Sequence, residues 1–445
     1  MMTSSPDTEL EEPLSVSDLK EAWALLVPSD RLESFRALER TQAEDFFLGL
    51  SAHDQADLLL GLPPAERRSW IRLLAPDDAA DLVQEVPAEE REPLMSLLDE
   101  PTRQEVSGLL AYAEDDAGGL MNPRYARLRP DMTVDEAITY LRRHAADRGA
   151  TLTYAYVLSP DHKLLGVVSY RDLITAKADQ KIDAIMRTNL VTVPEQMDQE
   201  ELSRLFAAHR YLAFPVVDEE GRMKGIVTLD DIVDVVREEA TEDIQKIGGT
   251  AALDAPYLRV GIGHMIRKRA GWLAVLFLGE SLTATAMGYF EAEIARAVVL
   301  ALFVPLVISS GGNSGSQATT LVIRAMALGE VKLRDWWRVM HREILSGLGL
   351  GAILASIGIL RILVWQSLFH TYGTHSFLIA MTVASSLVGV VLWGSLVGSM
   401  LPFVLRRLGL DPATASAPFV ATLVDVTGLI IYFSAAKVIL SGTLL

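Results

Sequence analysis

The sequence predicts a multi-domain protein with an α-helical superhelical N domain, an α+β domain of two tandem repeats, and a five-helix α transmembrane domain. Three observations predict it. A 24-residue repeat with a proline at each helix junction fills much of the first hundred residues. A second repeat, strand-rich with amphipathic helices, follows it. The C-terminal part then carries five apolar stretches of about 20 residues or longer.

The helical domain is read over 1–119. Leu50 to Leu74 aligns with Leu74 to Leu98: Asp57-Leu58 falls on Asp81-Leu82, Pro63 on Pro87, Glu66-Arg67 on Glu90-Arg91, and Leu73-Leu74 on Leu97-Leu98. Each unit is two short helices broken at the proline. Stacked units of this kind bury a shared apolar stripe and leave a charged outer face.

The α+β domain is read over 120–236. Met121 to Ala137 aligns with Met186 to Leu202. Leu165-Gly166-Val167-Val168-Ser169-Tyr170-Arg171-Asp172 aligns with Lys224-Gly225-Ile226-Val227-Thr228-Leu229-Asp230-Asp231. Both copies read strand, turn, strand, helix, with an acid at the helix start, where the positive end of the dipole favours it. The shared Gly-x-x-Ser/Thr-x-x-Asp pattern resembles the cystathionine-β-synthase (CBS) repeat, which implies a paired regulatory module.

A connecting helix and linker occupy 237–265. Asp231, Asp234, Glu238, Glu239, Glu242 and Asp243 recur at spacings that place most of them along one side of a helix, with few bases nearby (Arg237, Lys246). Like charges so stacked repel. Two readings stay open here: contact with a divalent cation, or a solvated face.

The membrane domain, 266–445, holds candidate spans at Ala270 to Phe290, Ile294 to Leu328 with an interruption, Ile344 to Trp365, Phe377 to Leu405 and Ala415 to Leu440. Bases cluster in alternate loops: Arg267-Lys268-Arg269, then Lys332, Arg334, Arg338 and Arg342, then Arg406-Arg407. The positive-inside rule puts the soluble half in the cytoplasm and the C-terminus outside a cytoplasmic (inner) membrane. The opening Met1-Met2-Thr3-Ser4-Ser5-Pro6, with acids following, does not read as a signal sequence.

Charge separates the halves. From Arg259 onward 8 acids face 14 Lys and Arg, a net of +6; before it 50 face 26, a net of −24. So acidic a soluble half is self-repulsive and attracts counter-ions, which makes a divalent cation a natural partner and nucleic acid a poor one. With no cysteine and 8 scattered histidines, any metal is held by oxygen or imidazole. Abundant carboxylates suit a hard ion such as Mg2+, Mn2+ or Ca2+.

Two intramembrane features carry the chemistry. Asp425 stands near the middle of the last span, with Thr422, Thr427 and Gly428 close in sequence. An ionisable residue at that depth is a functional-site candidate by default, and a cationic cargo fits it. In the second span, Pro305 to Gln317 contains three glycines and a row of small polar residues. The stretch reads as an interruption of the helix and a second pore-lining element facing Asp425. The same residues would also make a tight packing seam. Glu280, mid-span in the first apolar stretch, is a further acid without an assigned role.

Taken together these features resemble the MgtE family of magnesium channels. The resemblance rests on Glu114-Asp115-Asp116-Ala117-Gly118-Gly119-Leu120-Met121, the paired CBS repeats, Ala240-Thr241-Glu242-Asp243-Ile244, Gly311-Gly312-Asn313, Leu401-Pro402-Phe403 with Arg406-Arg407-Leu408-Gly409, and the Asp425 segment. It implies a homodimeric, non-enzymatic Mg2+ channel in the lipid bilayer, with one Asp425 from each subunit holding a hydrated Mg2+. It further implies pore-lining Gly311, Gly312, Asn313 and Ala421. Sensor acids follow by motif: Asp45 and Asp77 in the helical domain, Asp231 and Asp234 after the second CBS repeat, and Glu239, Glu242 and Asp243 on a helix that plugs the pore. Three positions depart from the pattern. Arg210 stands where an acid is expected and could pair with Asp234, Ala417 replaces a pore asparagine, and Ser316 replaces a second amide.

Two alternatives remain. One is a nucleotide-regulated divalent cation transporter with Mn2+ or Co2+ permeation, in which the CBS pair binds ATP and Thr228 and Asp231 contact ribose. The other is a membrane-tethered sensor that transports nothing, against which the polar segment and Asp425 both argue.

Overall fold

A computed structural model describes residues 16–23, 25–144, 151–253 and 257–444; the opening segment read for a signal sequence lies outside them. The chain forms two compact units, Met1–Arg237 and Glu238–Leu445.

The first unit begins with short helices α1 (Val16–Ala22), α2 (Pro28–Ala37), α3 (Arg40–Leu48), α4 (Ala52–Gly61), α5 (Pro64–Ile71), α6 (Pro76–Glu85), α7 (Ala88–Met95) and α8 (Glu100–Leu109). The 24-residue repeat is α4 with α5 and then α6 with α7. Pro64 and Pro76 sit in the first turns of α5 and α6, where a missing N–H removes no helical bond. Equivalent leucines of the two copies, Leu58 and Leu82, Leu74 and Leu98, are all buried in one core with Phe46, Phe47 and Ile71, which is why the period is legible.

Next come α9 (Ala117–Leu120), β1 (Tyr125–Leu128), α10 (Val134–His144), β2 (Thr151–Leu158), β3 (Leu164–Ser169) and α11 (Tyr170–Thr175), then β4 (Val193–Pro194), α12 (Gln199–His209), β5 (Ala213–Val217), β6 (Met223–Thr228) and α13 (Leu229–Ile247). Two three-stranded sheets result, ordered β1-β2-β3 and β4-β5-β6, each with one parallel and one antiparallel pairing. The segment leading into each repeat pairs with the last strand of the other. Asn122 exchanges backbone hydrogen bonds with Ile226 at 2.7 and 2.9 Å, and Arg187 with Val167 at 2.9 and 3.0 Å. The repeats are thereby interlocked. Both motif acids act as anticipated: Asp172 completes a capping box with Ser169, and Asp231 accepts from the backbone and hydroxyl of Thr228 at 3.1 and 2.6 Å. The helix that Asp231 opens, α13, runs without a break from Leu229 to Ile247.

Among the described residues of the second unit five segments are long and apolar enough to cross a membrane. They are built from α14 (Ile262–Tyr289), then, after the short α15 (Glu291–Arg296), α16 (Val298–Ala301) with α17 (Val304–Ala327), α18 (Trp336–Phe369), α19 (Ser376–Arg407) and α20 (Ala417–Leu440). Helix α19 is the most buried of them and packs on α18, α17 and α20. No residue of α14 is buried.

The interruption expected at the glycines of the second span is not there, because α17 is helical from Val304 to Ala327. The break falls earlier, at Leu302 and Phe303, just ahead of Pro305, which is tolerated in the first turn of α17. The glycines stay helical for a packing reason. Gly311 and Gly315 face Gly394 and Gly398 of α19 backbone to backbone, with no room for a Cβ on Gly394 or Gly398. Across this seam Ser314 Oγ lies 2.7 Å from Ser395 Oγ, and Thr319 Oγ1 donates to the Gly398 carbonyl at 2.8 Å. Small residues let two helices approach closely enough to share hydrogen bonds in a medium that offers none.

Candidate functional site

The Asp425 region is built by α17 and α20. Ser416 caps α20 by accepting from the Phe419 N–H, and Pro418 sits in the first turn. Two turns on, Asp425 is part-buried. A Cβ built on Gly312 would lie 3.4 Å from the Ala421 Cβ and 3.7 Å from Asp425 Oδ1, so Gly312, Ala421 and Asp425 share one patch. Gly311 does not join it: its Cα faces Val390 and Val424 in the helix seam. Asn313 is exposed on the surface of the unit.

The hydroxyls flanking Asp425 are tied to their own helix. Thr422 donates to the Pro418 carbonyl at 3.0 Å and Thr427 to Leu423 at 2.8 Å, while Thr427 also accepts from the Trp393 indole at 2.8 Å. Ser316 and Ala417, two of the departures from the family pattern, meet each other: the Ser316 hydroxyl donates to the Ala417 carbonyl at 3.1 Å. Their local role is therefore to join α17 to the start of α20.

A second cluster lies within the first unit, where α6 and the start of α13 bring Asp77 and Asp78 within electrostatic reach of Asp230 and Asp231. Asp77 is buried and its Oδ1 has no hydrogen-bond partner. Burial, then Asp78 and Asp231, hold its carboxyl well above the usual range. Asp78 is raised by burial and by Asp230. Asp231 is pushed up to about 7, by burial first and by Asp230 and Asp78 as well, against the lowering effect of its Thr228 hydrogen bonds. Asp78 and Asp230 were missed by sequence reasoning, although each neighbours a predicted acid. Asp45 is exposed on α3 and does not figure among the charges acting on Asp77.

Asp234 is exposed and pairs with Arg237 at 3.6 Å. The anticipated partner, Arg210, instead ends α12 in a left-handed conformation, φ 56°. An i,i+3 base on the same helix reaches Asp234 without ordering a loop.

The C-terminal turns of α13 belong to the second unit. Lys246 Nζ lies 2.6 Å from Glu242 and 2.7 Å from Asp411, in the loop before α20. Burial alone would lower its ammonium, but hydrogen bonds to Asp411 and Glu242 hold it above its ordinary value. Glu239 and Asp243 flank Glu242 on the same helix. Ile247 packs near Ile323, Ala413 and Ala415. Among the described residues no three carboxylate or imidazole groups converge into a preformed metal cage.

Between the two CBS repeats lies a cleft of about 100 Å3, lined among others by Tyr154, Tyr156, Ser169, Arg187 and Tyr211. Thr228 and Asp231 do not line it.

Three comparisons bear on this architecture. The family described as the divalent cation transporter MgtE matches residues 304–435, the MgtE intracellular N domain matches 14–115, and the CBS domain matches 117–179 and 182–238. The chain is 41% identical over 437 residues to the magnesium transporter MgtE of Thermus thermophilus, covering 98% of this chain and 95% of that one. It is 33% identical over 368 residues to that of Bacillus subtilis, covering 81% and 77%. Among solved structures it is similar to the cytosolic domain of the Mg2+ channel MgtE in complex with ATP, at 42% identity and TM-score 0.46, over 49% of this chain and 90% of that one. With N domain, CBS pair and membrane domain all matched in order, the chain belongs to the MgtE family of divalent cation transporters.

Proposed function

We propose that the protein is a homodimeric, Mg2+-selective channel of the cytoplasmic membrane, its N-terminus cytoplasmic and its C-terminus outside, closed by Mg2+ binding to its cytosolic part. The observation that carries the reading is Asp425, a part-buried carboxylate midway along α20, beside the small residues Gly312 and Ala421. Mg2+ gives up its water reluctantly and is usually held by one or two carboxylates with several waters kept. One Asp425 from each subunit, with Gly312, Asn313 and Ala421 lining the approach, meets that need without a cage. What supports the dimer is α14, a candidate span none of whose residues is buried inside a single chain.

The reading divides the chain into an N domain (1–119), a CBS pair (120–236), a plug helix with its linker (237–265) and a pore domain (266–445). Asp77 and Asp231, joined by Asp78 and Asp230, form the principal sensor; Asp45, Asp234, Glu239, Glu242 and Asp243 are further ion contacts. The unpartnered Asp77 Oδ1 is the kind of buried acceptor that an ion or its water would satisfy. Ions that bind the compact arrangement more tightly shift the population toward closure.

ATP is a second ligand under this reading. The tyrosines of the inter-repeat cleft offer faces to a base, Arg187 a phosphate partner, and the Ser169 hydroxyl a ribose contact. That moves the nucleotide away from Thr228 and Asp231, leaving Asp231 for the acidic cluster.

The test is Mg2+ uptake into proteoliposomes. Asp425→Ala and Asp425→Asn should each abolish or severely reduce flux while leaving assembly intact. Uptake at the parent rate by a correctly inserted Asp425→Ala protein would sink the pore assignment.

A further inference from the structure

Glu280 lies midway along the first candidate span and is exposed within the chain. A carboxylate at the centre of a bilayer costs several kcal/mol, and such groups are found facing a bundle interior or water rather than lipid. The question is what it faces.

The crossing of α14 over α20 answers it. A Cβ on Gly279 would lie 2.8 Å from Thr422 Cγ2, so the two helices touch at the residue before Glu280 and three residues before Asp425. Thr283 lies one turn beyond Gly279 on the same side of α14, and its Oγ1 is buried without a partner. On the helical wheel Glu280 lies about 100° from Gly279 and about 60° from Thr283, on the flank of the contact rather than at its centre. The Glu280 charge also acts on Asp425. Two like charges on contacting helices in a low-dielectric setting repel unless a cation or water lies between them.

We propose that Glu280 is a second carboxylate of the ion path, a specificity-determining residue that concentrates divalent cations beside Asp425 and disfavours monovalent ones. The inference rests on the pore reading of Asp425. Asp425 holds the ion at the constriction, while Glu280 raises the local divalent concentration and stabilises a hydrated ion through its waters, with the Thr283 hydroxyl able to bond one of them.

The experiment uses the full-length protein in proteoliposomes, comparing Glu280→Gln, Glu280→Asp and Asp425→Asn. Glu280→Gln should raise the half-saturating Mg2+ concentration by roughly three- to tenfold, the size of one charge interaction at a partly hydrated site, and lessen the preference for Mg2+ over Na+. Glu280→Asp should recover most of both. A Glu280→Gln protein with the parent's concentration dependence and selectivity, alongside an inactive Asp425→Asn protein, overturns the role of Glu280 alone; an active Asp425→Asn protein overturns the pore reading beneath it. Because the chain has no cysteine, Glu280→Cys supplies a readout that does not depend on flux. Reaction with a water-soluble thiol reagent, slowed by Mg2+, supports the proposal, and failure to react while Asp425→Cys does react places residue 280 against lipid and overturns it.

Discussion

Asp231 is poised between charged and neutral near physiological pH, since burial and the neighbouring Asp230 and Asp78 push it up to about 7. A carboxyl raised in the folded state favours docking of α6 against α13 below its unfolded value near 3.8, and that contribution is lost as pH rises through about 7. Without divalent ions, the thermal stability of the cytosolic unit should therefore fall between pH 5.5 and 8, each pKa unit being worth about 1.4 kcal/mol at most. Added Mg2+ should restore more stability at pH 8 than at pH 5.5, and Asp231→Asn should weaken both trends, leaving the part that Asp77 and Asp78 contribute. A pH-independent melting temperature would remove the acidic cluster from the sensor. At this scale the sequence was partly legible. Asp425 announced itself as the lone acid of an apolar stretch, whereas Gly311 and Gly312 look alike on paper, and only the facing helix separates a seam residue from one beside Asp425. The contact of Ser316 with Ala417 joins positions 101 apart, which no local pattern reports.

Elements were more legible than their junctions. Proline-punctuated helices and the two Gly-x-x-Ser/Thr-x-x-Asp turns follow from local chemistry, so their positions could be read directly. The expected break at the glycines failed because glycine signals a turn in water but close packing in a bilayer. One junction that sequence could not give is the tie from the end of α13 to the loop before α20, through Lys246 and Asp411 at 2.7 Å. Being partly exposed, it is worth only a fraction of a kcal/mol to about 1. Lys246→Met and Asp411→Asn should each shift the Mg2+ midpoint for channel closure by about two- to fivefold, and the exchanged pair, Lys246→Asp with Asp411→Lys, should return it toward the parent value. Identical midpoints in all four proteins would mean the tie has no part in gating.

For the whole molecule the charge divides as −24 before Arg259 and +6 from Arg259 onward, so under the proposed function the N-terminal part is the one expected to respond to divalent ions. A fragment ending at Gly248 should contract when millimolar Mg2+ is added, while Na+ at matched ionic strength acts weakly, because a divalent ion can neutralise two facing acids at once. Small-angle scattering that gives one radius of gyration with and without Mg2+ would contradict ion sensing by this part. The isolation of α14 bears on how the protein is made. Of the five it is the first to leave the ribosome and the least apolar, yet its principal helical neighbour is α20, the last. About 130 residues separate them, and at 5–20 residues per second the first helix waits roughly 7–25 s for that neighbour. For that interval Glu280 sits in an unpartnered helix, so truncations that remove α20 should leave a first span that inserts poorly and is cleared early.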